Sequence, residues 1–225
     1  MRLIGMMDSP YVRRVAISLK FMGVPFTHEP VSVLRQFDAF ARINPVVKAP
    51  TLVTDEGVVL MDSTLILDHV ERLVPLERRL TPTDIRDHAR AQRIIGLALA
   101  ACEKAVQILY ERNLRPVEKQ HQPWIDRVRG QLLAAYGLLE RELGSGESWV
   151  FKSRPLQADI TAAVAWRFTA GPLADVVAAA DHPALSQFSG RAEALPEFLS
   201  SPLDELLVSS PAGAPSSFTR SGIEE

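Results

Sequence analysis

At 225 residues the chain can bury a sizeable core in one large domain or two small ones. Its formal net charge of −2 provides no general positive field to recruit nucleic acid or an anionic membrane. Cys102 is the only cysteine, so an intrachain disulfide is excluded and a reducing compartment is the natural setting.

Leu3 to Met7 is a short apolar run that reads as a buried strand. Asp8 stops it, and it is too short for the core of a signal peptide. Ser9-Pro10 opens a helix, since serine caps well and proline suits the first helical turn. Val12, Val15, Ala16 and Leu19 then recur at helical spacing, with Arg13, Arg14 and Lys20 off that face. Gly23-Val24-Pro25 stops the helix and Phe26 to Val33 forms a second strand. A strand–helix–strand connection of this kind implies parallel pairing with a right-handed crossover.

Phe37 to Ile43 is predicted as a short helix ending at Asn44-Pro45. Thr51 to Thr54 and Val58 to Met61 flank the turn Asp55-Glu56-Gly57, a hairpin signal. Asp62-Ser63 opens another helix carrying Leu65, Ile66, Leu67, Val70 and Leu73. The order is β-α-β-α-β-β-α.

Pro75 to Asp84 has no periodicity and reads as a connecting segment. Beyond it strand signals disappear. Ile85 to about Arg112 and Glu118 to Leu143 are long helices, the second with Trp124, Val128, Leu132, Leu139 and Leu143 near one stripe. Asp159 to about Thr169 is so apolar that it suggests a helix buried on most sides of a bundle. Leu173 to Ala180 and Ala184 to Leu195 are read as further helices. The Ser-, Pro- and Gly-rich end, 209–225, reads as a tail. No apolar run such as Ile94 to Cys102 approaches the roughly 20 residues of a membrane helix, and the reading is a cytoplasmic protein.

The stretch Asn44-Pro45-Val46-Val47-Lys48-Ala49-Pro50-Thr51-Leu52-Val53 carries the most chemistry. A proline has no place inside a central strand, so Pro50 begins the strand or sits in a bend before it. Such a bend leaves the N–H and C=O of Ala49 without a sheet partner, and an extended peptide-like ligand can use both.

Three motifs, Asp8-Ser9-Pro10-Tyr11-Val12-Arg13, Asn44 to Leu52 around Lys48-Ala49-Pro50, and Asp62-Ser63 at a helix start, occur in this order. In this arrangement the chain resembles the cytosolic glutathione S-transferase superfamily over residues 1–208, and within it the bacterial, serine-type members. The resemblance implies an α/β thioredoxin-like N-terminal domain, 1–78, a linker, 79–84, and an all-α helical C-terminal domain, 85–208. It implies a cis Ala49–Pro50 bond and glutathione as co-substrate. Ala49 would pair with the cysteinyl part through its backbone, and Asp62 and Ser63 would hold the γ-glutamyl end. It also implies a homodimer. One departure from the family pattern is Leu156, where a Ser or Thr usually caps the helix three residues before the aspartate matching Asp159; its loss is worth about 1 kcal/mol unless replaced.

The candidate catalytic residue is Ser9. Capping alone accounts for a serine there; the resemblance implies a hydrogen bond to the glutathione sulfur. A thiol pKa of about 8.5 leaves little thiolate at neutral pH, and lowering it by about 2 units takes about 2.7 kcal/mol. A hydroxyl bonded to a charged group contributes roughly 1.5–3 kcal/mol, and a helix N-terminus about 0.3–1 kcal/mol. Those two contributions suffice with Ser9 as a hydrogen-bond donor that need not lose its own proton. A serine cannot form the mixed disulfide of thiol–disulfide exchange, which argues against a redox enzyme. Cys102 reads as a buried small hydrophobe.

Lys48 and Arg35 are candidates for the glycyl carboxylate, and Tyr11, Tyr110 and Trp166 for the wall of a second-substrate pocket. For the three aromatics core packing is the competing reading. The histidines show no zinc-ligand spacing, and no metal is expected. The expected activity is a glutathione transferase that activates the thiol for attack on a small electrophilic, apolar substrate. The alternatives are a non-catalytic glutathione-binding or protein-interaction module of the same fold, or a glutathione-dependent isomerase or dehalogenase.

Overall fold

A computed structural model describes residues 1–145, 147–151 and 153–203. The expected tail and residues 204–208 lie outside the described residues.

The chain begins with β1 (Arg2–Ile4), α1 (Pro10–Met22), β2 (Thr27–Glu29), α2 (Phe37–Ala41), β3 (Thr51–Val53), β4 (Val59–Met61) and α3 (Ser63–Glu71). The sheet order is β2-β1-β3-β4. β1 runs parallel to β2 and antiparallel to β3, with Leu3 opposite His28 on one side and Leu52 on the other. This is the small mixed sheet of a thioredoxin-like domain. The strands, three residues each, are shorter than their apolar runs suggest.

α1 has a complete set of end signals. Ser9 is its N-cap and Pro10 its first residue. At the other end Gly23 has φ +67°, and Gly23 and Val24 donate to the carbonyls of Lys20 and Leu19. That is a Schellman closure, and only glycine takes its left-handed position freely. Arg13 and Arg14 are buried, contrary to the simple amphipathic reading. Their side of α1 is covered by later parts of the chain, which one helix's periodicity does not reveal.

The second half is helical: α4 (Ile85–Leu114), α5 (Gln122–Leu143), α6 (Gln157–Ala170), α7 (Pro183–Glu193) and α8 (Pro196–Leu199). The predicted helix at Leu173 to Ala180 is absent. Gly171-Pro172 interrupts α6, and turns closed by Val176 and Val177 donating to the Leu173 carbonyl lead to a 3-10 turn at Ala179–Asp181. The predicted helix from Glu118 starts later, at Gln122, after a separate 3-10 turn.

α6 is buried from Gln157 to Trp166 and again at Phe168 and Thr169, as its composition predicts. Its N-terminus lacks a cap hydroxyl at Leu156. Asp159 supplies the reciprocal bond instead, accepting from Leu156 N at 2.9 Å and from Val150 N at 2.8 Å. Buried apolar side chains form one contiguous cluster running from Leu3 in β1 to Phe198 in α8. α1 packs directly on α6, where Ser18 Oγ meets Gln157 Oε1 at 3.0 Å and Gln157 donates onward to Thr161. The connecting stretch is fastened too, since the Leu80 carbonyl accepts from Gln157 N at 3.0 Å.

Candidate functional site

A cavity of about 890 Å³ opens between the sheet and the helices. Such a volume suits a small ligand with a second one beside it. Three backbone features converge on it.

The first is the N-terminus of α1. Ser9 Oγ accepts from Val12 N at 3.4 Å, a long bond, and lines the cavity. A cap uses a lone pair of the hydroxyl and leaves its proton available, so capping and donation to a ligand are compatible.

The second is the bend before β3. The Ala49–Pro50 bond is cis, as the resemblance implies. Asn44 braces the bend: its buried side chain donates to Thr51 Oγ1 at 2.9 Å and accepts from Val46 N at 3.1 Å. Thr51 Oγ1 donates in turn to the Lys48 carbonyl at 2.8 Å. Within that frame Val47 is held at φ +51°, an unfavourable region for a β-branched residue. No described residue hydrogen-bonds the N–H or C=O of Ala49. Gly5 makes the close approach possible: at φ +137°, a Cβ there would lie 2.6 Å from Val12 Cγ2 and 3.2 Å from Ala49 Cβ.

The third is the N-terminus of α3. Asp62, not Ser63, is the N-cap, at φ +71° with Oδ1 accepting from Thr64 N at 2.9 Å. This frees the Ser63 hydroxyl, which accepts from Arg14 Nη1 at 3.1 Å.

Ser9, Tyr11, Lys48, Ala49, Pro50, Asp62, Ser63 and Tyr110 therefore share one cavity. Two predicted residues do not. Trp166 is buried in the bundle, edge-on to Tyr136 at 5.2 Å and 5.3 Å from His182. Phe168 lines the cavity in its place. Two residues along a helix are about 200° apart, so the two aromatics face opposite ways. Arg35 is exposed and outside the cavity lining, although Ser32, Val33 and Leu34 just before it line the cavity; its N–H donates to Ser32 Oγ. Sequence reasoning missed Arg14, Asn44, Glu103 and Phe168. Asn44 stood inside the quoted motif, and its place before Pro45 was the available signal.

Burial raises the pKa of Tyr11, with Cys102 and Glu103 adding to the effect. Burial also raises Tyr110, with Asp8 adding. Both phenols stay neutral donors. The Cys102 thiol is pushed up by burial to about 12 and is inert as a nucleophile. Among the described residues the charges lining the cavity are Lys48 against Asp8, Asp62 and Glu103.

Two family models match the chain: "Glutathione S-transferase, N-terminal domain" over residues 3–78 and "Glutathione S-transferase, C-terminal domain" over residues 122–191. A maleylacetoacetate isomerase of Pseudomonas aeruginosa is 30% identical over 162 residues, 68% of this chain and 72% of its own length. The uncharacterized GST-like protein YibF of Escherichia coli K12 is 29% identical over 146 residues, 65% of this chain and 71% of its own. Among solved structures, a glutathione S-transferase of Methylobacterium radiotolerans in complex with glutathione sulfonate superposes with a TM-score of 0.83 at 29% identity, covering 91% of this chain and 95% of that one. A glutathione transferase family member of Pseudomonas fluorescens Pf-5 with bound glutathione does so at 0.78 and 28% identity, covering 90% and 98%.

Proposed function

The chain belongs to the glutathione S-transferase family, and from that premise we propose how its own residues carry the activity of a glutathione transferase with glutathione as co-substrate. The Ser9 hydroxyl donates to the glutathione sulfur and, with the α1 N-terminus, favours the thiolate. The Ala49 backbone at the cis bend pairs with the cysteinyl unit. Lys48 meets the glycyl carboxylate, Ser63 the γ-glutamyl carboxylate and Asp62 the ammonium. The thiolate then bonds to an electrophilic carbon, whose leaving group departs with the electron pair. Tyr11, Leu99, Tyr110 and Phe168 form the apolar wall that receives that second substrate.

The observation that carries this reading is the convergence of the Ser9 hydroxyl, the Ala49 backbone, unpaired among the described residues, and the α3 N-terminus on one cavity. Its test is the ultraviolet thiolate absorbance of bound glutathione against pH. Ser9→Ala should move the thiolate transition up by about 1–2 units, the worth of one charge-assisted hydrogen bond, with the fold intact. An unchanged transition would remove Ser9 from the mechanism.

The division of the chain at 79–84 is part of the proposal, supported by the sheet lying before it and only helices after it among the described residues. So is a homodimer, supported by the exposed apolar side chains of Val59, Met61 and Leu65 on β4 and α3. Light scattering in solution tests it. A cytoplasmic location fits the lone buried cysteine; among the described residues no helix is long and apolar enough to cross a membrane. A second reading, glutathione-dependent isomerisation, is favoured by the isomerase relative. The excess of acids over bases among the described lining residues weighs against an anionic substrate beside glutathione.

A further inference from the structure

Arg14 on α1 is 2% exposed and reaches no carboxylate within ion-pair distance among the described residues. Its Nη1 donates to the hydroxyls of Ser63 at 3.1 Å and Thr64 at 3.3 Å. Its Nε is buried with no hydrogen-bond partner among the described residues. The adjacent Arg13 shows the contrast, since both its terminal nitrogens meet Glu193 at 2.6 Å. A buried charge without a counter-charge is costly and demands a reason. Burial pulls the Arg14 pKa down to about 10, against the fields of Cys102, Asp62 and Tyr11, so the group is still charged at neutral pH.

Ser63 and Thr64 both line the cavity at the start of α3. A hydroxyl that accepts from a guanidinium keeps its own proton to give. The α3 N-terminus therefore offers two hydroxyl donors and a helix dipole, with a full positive charge one layer deeper.

We infer that Arg14 is a positioning residue for the γ-glutamyl carboxylate of glutathione: it holds the Ser63 and Thr64 hydroxyls as donors and receives its counter-charge when the carboxylate seats on them. This rests on the cavity being the glutathione site. Arg14 acts through the two hydroxyls and does not touch the ligand.

The test is calorimetric titration of the full chain with glutathione and with 4-aminobutanoyl-cysteinylglycine, the same tripeptide without that one carboxylate. Arg14→Gln should weaken glutathione about 10- to 100-fold while moving the carboxylate-free ligand less than threefold, because only the charged partner is lost. Arg14→Lys keeps the charge, but its shorter side chain does not bring a donor to the Nη1 position that bonds both hydroxyls, so its loss should be about three- to tenfold and again confined to glutathione. A merely structural role would weaken both ligands alike. Equal losses, or none, overturn the inference, and Arg14→Lys decides alone if Arg14→Gln fails to fold. Wild-type protein that binds both ligands equally also overturns it while leaving the functional reading intact. Wild-type protein that binds no glutathione defeats the functional reading itself.

Discussion

The Ser9 hydroxyl owns one proton and two lone pairs, and the long 3.4 Å bond to Val12 N engages only a lone pair. Removing the hydroxyl should therefore cost little as a cap, at the low end of the usual range of about 0.5–2 kcal/mol. Gly5 is the more fragile residue. Gly5→Ala places a methyl 2.6 Å from Val12 Cγ2 at a φ of +137°. Denaturant titration should show a loss of about 2–4 kcal/mol from overpacking and backbone strain together. Glutathione affinity should fall with it, since the same methyl presses on Ala49. At this scale the sequence was legible where a residue sits in a short motif, as Ser9, Ala49 and Asp62 do. It was not legible where direction matters. Trp166 and Phe168 are both aromatic on one apolar helix, and only the surrounding helices decide which of them meets the cleft.

α6 shows the same limit for a whole element. Its apolar run announced burial on most sides, but not what would close its N-terminus without a hydroxyl at Leu156. Asp159 does so at an electrostatic cost. Burial raises its pKa to about 6, against opposing bonds from Val150, Leu156 and its own backbone and the field of Arg191. A carboxyl raised above its unfolded value of about 3.9 favours the protonated folded state. Its contribution to stability is thus full below about pH 4, is lost as pH rises through 6, and is flat above; the span is on the order of 2–3 kcal/mol. Denaturation midpoints of wild type and Asp159→Asn, followed from pH 4 to 8, should diverge in slope between about 4 and 6, with the variant lacking the decline. Leu173 to Ala180 did not become a helix: Gly171-Pro172 ends α6, the stretch closes into turns, and Asp175 meets Arg112 on α4 at 2.9 Å.

For the whole molecule, the sequence revealed the order of elements and the change from mixed to helical structure. It concealed how the later helices cover α1. Arg13 is the clearest case, 1% exposed and held by Glu193 and by the Ser201 carbonyl at 2.8 Å. Nothing local to α1 distinguishes it from a surface arginine. Glu193→Gln should destabilise the protein by about 2–4 kcal/mol in urea titration, because a buried guanidinium loses its anion. Adding Arg13→Met to a Glu193→Leu background should recover part of that loss, the signature of a coupled pair.

The side-chain chain from Ser18 through Gln157 to Thr161 ties the first helix of one half to the central helix of the other. The halves are therefore poor cartridges for recombination. A chimera that took its sheet from one relative and its bundle from another would have to carry matched versions of α1 and α6 across the splice. New substrate range is more cheaply reached by altering the cleft-facing side of α4 and Phe168, which leaves that seam alone.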